Sequence, residues 1–198
     1  MAGFEIKPVV LTGKHARLEP MTLAHVERLA EIGVGHAFWD FMVYGKMENV
    51  DDMRGWVSDI LARAEKGGDL PFVVIHLASG RAAGATRYLN IMPNDRGLEV
   101  GGTWYGVEFQ RTAVNTECKY LLFKHAFETL RCIRVQLKTD LRNERSQKAI
   151  ERLGAVKEGV LRNHMILPDG VIRHSVFYSI LDSEWEGVKK RLEEWMEK

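Results

Sequence analysis

Cysteine is scarce in this chain of 198 residues: Cys118 and Cys132 are the only two. They form no CxxC pair and cannot build a disulfide framework, which argues against a zinc ribbon or a thiol-redox site and suits a reducing cytoplasm. Proline is also sparse, and no Pro/Ser-rich linker, low-complexity stretch or internal repeat divides the chain, so residues 1–198 are read as one domain. No stretch offers the roughly 18–20 uninterrupted apolar residues of a membrane span. The start, Met1 to Pro8, lacks the basic head and long apolar run of a signal peptide, so a soluble, cytoplasmic protein is expected. An excess of one charge is missing too: 28 Lys plus Arg stand against 27 Asp plus Glu, net +1. That balance argues against a protein built to coat nucleic acid. No HExxH or comparable ligand set occurs, so no metal is expected. No GxSxG elbow occurs either, and neither cysteine has an evident histidine partner, so a covalent acyl-enzyme is not expected.

What is present is an ordinary globular mixture, 45% hydrophobic and 28% charged, sufficient for a sizeable core. Val9–Leu11 and His15–Leu18 look extended. Thr22 can cap a helix that places Leu23, Val26, Leu29 and Ala30 on one face. After Asp51, residues Met53, Trp56, Val57, Ile60, Leu61 and Ala64 recur at helical spacing. The double glycine Gly67-Gly68 reads as the stop of that helix. Pro71–Leu77, Ala82–Ile91 and Leu98–Gly106 are separated by short turns and predict an antiparallel meander. Asn115–Leu130 predicts a largely buried helix with Tyr120, Leu121, Phe123, Phe127 and Leu130 on its apolar arc. In Cys132–Lys138, Ile133, Val135 and Leu137 alternate with polar residues and are expected inward. Asn143 can cap a helix to Leu153, with Gly154 ending it. Val156–Leu167 and Val171–Leu181 read as a closing hairpin, and Ser183 to Glu186 as a capping box opening the last helix. The sum is a mixed α/β fold with a mostly antiparallel sheet of about seven strands flanked by helices.

The most informative stretch runs from Leu98 to Asn115, where a strand passes through a short loop into a buried helix. Unpaired N–H groups and the dipole at a helix start favour an anion, and Arg111 adds a guanidinium suited to phosphate. A capped helix with a solvated arginine would read the same way.

At this point the ordered set Arg17-Leu18-Glu19-Pro20, Gly84, Asn90-Ile91, Glu99 to Tyr105, Lys138-Thr139-Asp140, Asn143 to Ser146, Glu151 to Ala155 and Glu158 to Arg162 resembles the GNAT superfamily of acetyl-CoA-dependent N-acyltransferases. The RimJ/RimL-like branch, the ribosomal-protein N-terminal acetyltransferases, is the most similar, and the likeness runs from Leu11 to Leu192. The resemblance implies a sheet splayed in the middle, with acetyl-CoA wedged where the strand ending at Tyr105 leaves the strand Cys132–Lys138. Pantetheine would run beside Trp104 and Tyr105, and the pyrophosphate would sit on Gln110, Arg111, Thr112, Ala113, Val114, Asn115 and Thr116. Asn143 and Ser146 would complete the cofactor site. The family pattern expects small residues at 113 and 115. Ala113 costs little unless φ > 0 is needed, and Asn115 is tolerable if it caps the helix.

The implied reaction is direct attack of an amine on the thioester through a tetrahedral intermediate. Glu99 matches the position of the family's frequent base; alternatively it is an exposed strand carboxylate paired with an arginine. N–H groups near Thr103 and Trp104 could hold the oxyanion. Many relatives carry a tyrosine, seven residues after the position of Asn143, that protonates the thiolate. Here Ile150 stands there, and Ser146 would orient the thioester and relay a proton through water. The acceptor is expected to be a protein N-terminus, an amino acid or peptide, or a small amine. Trp39 and Met42 are candidates to line its groove, with Asp40 or Glu48 attracting the amine. His164 and His174 could meet across the last hairpin. From Arg131 to Arg152, seven Lys/Arg face three Asp/Glu, which reads either as solvated faces or as attraction for CoA phosphates. A homodimer is possible, since Trp185 and Trp195 on the last helix could cover a partner or the chain's own core. The alternative to an enzyme is a non-catalytic CoA-binding or interaction module.

Overall fold

A computed structural model describes Phe4 and residues 6–197. Two short strands, β1 (Leu11–Thr12) and β2 (Ala16–Pro20), pair antiparallel across a tight turn and lead into helices α1 (Val26–Gly33) and α2 (Val50–Glu65). Strands β3 (Leu70–His76), β4 (Ala82–Met92) and β5 (Gly97–Tyr105) form the meander, followed by helix α3 (Ala113–Lys124). Then come β6 (Arg134–Asp140), α4 (Glu144–Arg152), β7 (Val156–Ile166), β8 (Ile172–Leu181) and α5 (Asp182–Met196). One sheet of eight strands results, in the order β1-β2-β3-β4-β5-β6-β8-β7. It has one strand more than the sequence suggests, because the opening segment folds back on itself.

Every ladder is antiparallel except β5–β6, and that exception shapes the molecule. The parallel pairing covers only Gly97↔Arg134, Leu98↔Val135 and Glu99↔Gln136. Beyond Glu99 the two strands part. From Val100 to Tyr105, β5 stays bonded to β4 alone, while β6 runs on paired to β8. A V-shaped opening is left in the sheet, with Glu99 at its apex.

The two faces are covered differently. On one, Trp104 of β5 meets Trp56 of α2 and, from the segment after α1, Phe38 and Trp39 at ring separations of 5.1 to 5.9 Å. On the other, Tyr88 donates to the Leu122 carbonyl of α3 at 2.6 Å, and α5 stacks Trp185 on Phe127. Trp185 is 6% exposed, so it covers the chain's own core.

Several local expectations shift for identifiable reasons. Leu23 precedes α1 in a 3-10 turn and is exposed. Helix α2 starts before Asp51, at Val50, because Asn49 accepts the Asp52 N–H at 3.0 Å. Its stop follows the sequence: Gly67, at φ +76°, donates to the Ala64 carbonyl. Helix α3 is capped by Thr112 and not by Asn115, and after Lys124 it loosens into a π-turn over His125–Thr129. On that helix Tyr120, Leu121 and Leu130 are only partly buried, whereas Glu117 and Lys119 are buried. Ile133 lies just before β6 and is 43% exposed; the alternation holds only from Val135 onward. At α5 only half of a box forms, two residues earlier: Glu184 accepts from Leu181 N–H at 2.9 Å, and leucine offers no side-chain acceptor in return.

Candidate active site

Glu99 is not an exposed carboxylate paired with an arginine. It is 2% exposed and is held by three donors on one oxygen: Asn90 Nδ2 at 2.8 Å, Gln136 Nε2 at 3.0 Å and Lys138 Nζ at 3.3 Å. All three meet Oε2. A side chain at Gly101 would put its Cβ 3.1 Å from Oε1. The glycine therefore leaves space beside the oxygen that the donors do not use.

The arm of the opening formed by β5 depends on another glycine. Gly84 lies so close to β5 that a Cβ there would fall 2.1 Å from the Trp104 carbonyl oxygen. Trp104 and Tyr105 are both buried; Trp104 Nε1 lacks a hydrogen-bond partner among the described residues, and Tyr105 lies against the Cys118 thiol. Behind this arm, Lys119 reaches from α3 to donate to Thr103 Oγ1 at 2.8 Å, and Thr103 in turn bonds Thr86. Burial without a carboxylate partner lowers the Lys119 pKa to about 8.

The loop into α3 is built around its own side chains. Thr112 Oγ1 donates to the Phe109 carbonyl at 2.7 Å and accepts the Val114 N–H at 3.3 Å. By helix geometry the other N–H groups of the first turn lack intrahelical partners. The positive φ in this loop falls at Arg111 (60°) and not at Ala113 or Asn115. The two departures from the family's small residues therefore carry no backbone strain. Gln110 bridges the opening: its Nε2 donates to the Tyr105 carbonyl at 2.8 Å, and its Oε1 accepts from Arg145 of α4 at 2.8 Å. Thr116 is buried and accepts from Arg152 at 3.0 Å. On the far side, Asn143 Oδ1 accepts the Ser146 N–H at 3.0 Å, which puts Ser146 in the first turn of α4. Ile150 is buried at 7% exposure and has no proton to give.

Trp39 and Met42 line a cleft of about 240 Å³ together with Asp40, Lys46 and the β7–β8 turn at Leu167 to Asp169. Glu48 lies elsewhere, donating its N–H to Asp52 at the start of α2. His164 and His174 take separate partners, Ser175 Oγ and the Asn163 N–H. Within the basic stretch, Arg134 pairs with Glu158, Lys138 with Glu99 and Arg142 with Asp140. Burial pushes both thiols, Cys118 and Cys132, up to about 12, which keeps them protonated at neutral pH.

The sequence reading missed two features. Glu117 is buried and accepts from the backbone N–H groups of Lys14, His15 and Ala16 at 2.6 to 2.7 Å; a Cβ at Gly13 would strike it. Arg87 is buried beside Asp69 at 3.1 Å and donates to Tyr44. A charge interrupting an apolar helix or strand is the signal that could have found both.

A sheet opened between two parallel strands, facing two helix starts, can admit an extended thioester and an amine. Residues 15–156 match the acetyltransferase (GNAT) domain. The chain belongs to this family of acetyltransferases. It is 33% identical over 113 residues to the "Putative ribosomal N-acetyltransferase YdaF" of Bacillus subtilis (strain 168), a match covering 57% of this chain and 61% of that protein. Among solved structures it is similar to a "putative acetyltransferase" from T. thermophilus, with 39% identity, TM-score 0.87 and coverage of 96% and 97% of the two chains. It is similar also to a GCN5-related N-acetyltransferase from Brucella melitensis, with 26% identity, TM-score 0.88 and coverage of 96% and 86%.

Proposed function

We propose that this GNAT acetyltransferase moves an acetyl group from acetyl-CoA to a primary amine by direct attack, with Glu99 receiving the amine proton. The observation that carries the proposal is the end of the β5–β6 pairing at Glu99↔Gln136, which puts a buried carboxylate at the apex of the opening. Members of the family use acetyl-CoA, and the residues here fit such a ligand. The edge of Val100–Tyr105 turned away from β4 has no strand partner. The first turn of α3 offers N–H groups to the pyrophosphate, with Gln110 and Arg111 beside it.

In this reading Asn90, Gln136 and Lys138 fix the Glu99 carboxylate through Oε2. Oε1 is then left for the amine or for a bridging water. An α-amine, with a pKa near 7.7–8.0, reaches its free-base form more readily than a lysine near 10.4. N–H groups at Thr103 and Trp104 hold the oxyanion of the tetrahedral intermediate. As it collapses, the thiolate leaves toward the first turn of α4, where the helix dipole favours negative charge and Ser146 supplies a hydroxyl. The protonated thiols of Cys118 and Cys132 leave no cysteine nucleophile for a ping-pong route.

Calorimetric titration with acetyl-CoA, with ATP and NAD as controls, tests the donor assignment. Saturable one-to-one binding seen only with acetyl-CoA is the expected result. Absence of binding at millimolar ligand would return the chain to the non-catalytic alternative.

A further inference from the structure

The face of the sheet that carries Glu99 continues across β6 and β8. Gln136, Lys138 and Asp140 lie on it, and opposite them in the ladder lie Ser179, Phe177 and Ser175, with Arg173 two residues further along β8. The charges on this face pair off: Lys138 with Glu99 at 3.3 Å, Arg142 with Asp140 at 2.7 Å. Arg173 does not pair. It is 5% exposed, yet among the described residues no carboxylate lies within ion-pair distance. Asp140 acts on it only from farther off and is already bound by Arg142. The Arg173 Nε donates to Ser175 Oγ at 3.0 Å and its Nη1 to the Phe41 carbonyl at 3.1 Å, both neutral acceptors, and Nη2 has no acceptor among the described residues.

A buried guanidinium satisfied only by neutral oxygens is costly, because its desolvation is not offset by an opposite charge. The place where it sits suggests what would offset it. Phe41, whose carbonyl it holds, lies between Asp40 and Met42 of the 240 Å³ cleft, and the β7–β8 turn that forms the other wall ends four residues before it. Arg173 lies on the sheet face that also carries Glu99, with Lys138, bound to Glu99, and Ser175, bound to Arg173, between them. His164 shares the Ser175 hydroxyl with Arg173, and burial lowers its pKa. That shift favours the neutral imidazole over a second cation beside Arg173. Glu99 and Arg173 thus stand on one face of the sheet, a proton acceptor at the apex of the opening and an unmatched cation beside the cleft.

We propose that the acetyl acceptor is a free amino acid, its amine directed to Glu99 and its carboxylate bound by Arg173 in the bidentate geometry that a guanidinium offers. This rests on the acetyl-transfer reading above and narrows its acceptor to amines that carry a nearby carboxylate.

The test compares each of the twenty amino acids with its carboxamide, and with dipeptide amides that begin with Asp or Glu. Binding is followed by calorimetry in the absence of donor, and turnover by CoA release. At least one free amino acid should bind, and be acetylated with a kcat/KM at least tenfold above its amide, the difference lying mainly in KM. Arg173→Gln should bring that ratio close to one, and Arg173→Lys, which keeps the charge but loses the two-pronged geometry, should retain only part of it. Thermal unfolding of both variants shows whether they fold; should Arg173→Gln not fold, the wild-type ratio and Arg173→Lys still decide. The proposal is overturned if acid and amide are treated alike, if the ratio survives Arg173→Gln, or if only the acidic dipeptide amides are accepted. Lack of acetyl-CoA binding would instead sink the acetyl-transfer reading, while the donor-free binding arm still decides the role of Arg173.

Discussion

The two sides of the opening are built from different materials. The side reaching from Val100 through the loop to α3 is made of backbone: an unpaired strand edge, a close approach at Gly84, a positive φ at Arg111 and a helix start capped by Thr112. The side formed by β6, β8 and the segment after α1, together with Glu99 at the apex of β5, is made of side chains: Glu99, Lys138, Arg173 and the wall of Trp39 and Met42. A backbone site tolerates substitution as long as each residue can adopt the required φ and ψ. A side-chain site changes its chemistry with a single residue. On the proposed reading, one side serves a donor common to the family and the other an acceptor particular to this chain.

The largest effect that sharpens this contrast is expected from Glu99→Gln. Removing a positioned base costs roughly 10²- to 10⁴-fold in turnover, while acetyl-CoA affinity measured by calorimetry should stay within a factor of two or so. An unchanged rate would remove Glu99 from the reaction. Gly84→Ala attacks the backbone side, since its Cβ would lie 2.1 Å from the Trp104 oxygen. A loss of about 3 kcal/mol in urea unfolding, with weakened acetyl-CoA binding, is expected from such overpacking. Full stability in that variant would show that the arm is not rigid.

Lys119 gives an intermediate effect of the opposite sign. Its folded pKa of about 8 lies below the unfolded value near 10.4. The unfolded state therefore binds more protons between those values, and stability should rise with pH across that window. Below it the penalty is present in full, about 3 kcal/mol from the size of the shift. Lys119→Met should gain on that order in urea unfolding at pH 7, and the gain should shrink toward pH 10. A pH-independent difference would mean that the amine is solvated. The smallest effect is expected from Ala113→Gly with Asn115→Gly. Because neither position has positive φ, restoring small residues should tighten acetyl-CoA only a few-fold, while each glycine costs the helix up to about 1 kcal/mol. A change of a hundredfold would show that the side chains, and not the backbone, limit the site.

How much could be read in advance follows the same division. The amphipathic spacing from Met53 to Ile60, the turn at Gly67, the cap at Asn143 and the stop at Gly154 are local. Each depends on residues within one or two turns, and each appears in the structure where the sequence puts it. Leu98–Gly106 was legible as a strand for the same reason, whereas its place beside the opening came from the family resemblance. Errors arose where neighbours were distant or where two caps competed within one turn. Ile133 alternates in sequence but precedes the first residue paired to β5. Asn115 could cap a helix, but Thr112 does so one turn earlier. Glu99 could have been an exposed strand carboxylate. Only contact with Asn90, Gln136 and Lys138, up to 39 residues away, makes it a buried acceptor.

The sequence by itself thus determined most of the elements, their order, the glycines that end helices and the asparagine that caps one, because hydrophobic period and turn chemistry act over a few residues. Tertiary structure alone decided where the parallel ladder stops, which charges are buried, and which of those charges lacks a partner. These depend on segments brought together from far apart in the chain, such as Arg173 and Phe41, 132 residues distant, and no local pattern records whether a buried charge has a counter-ion.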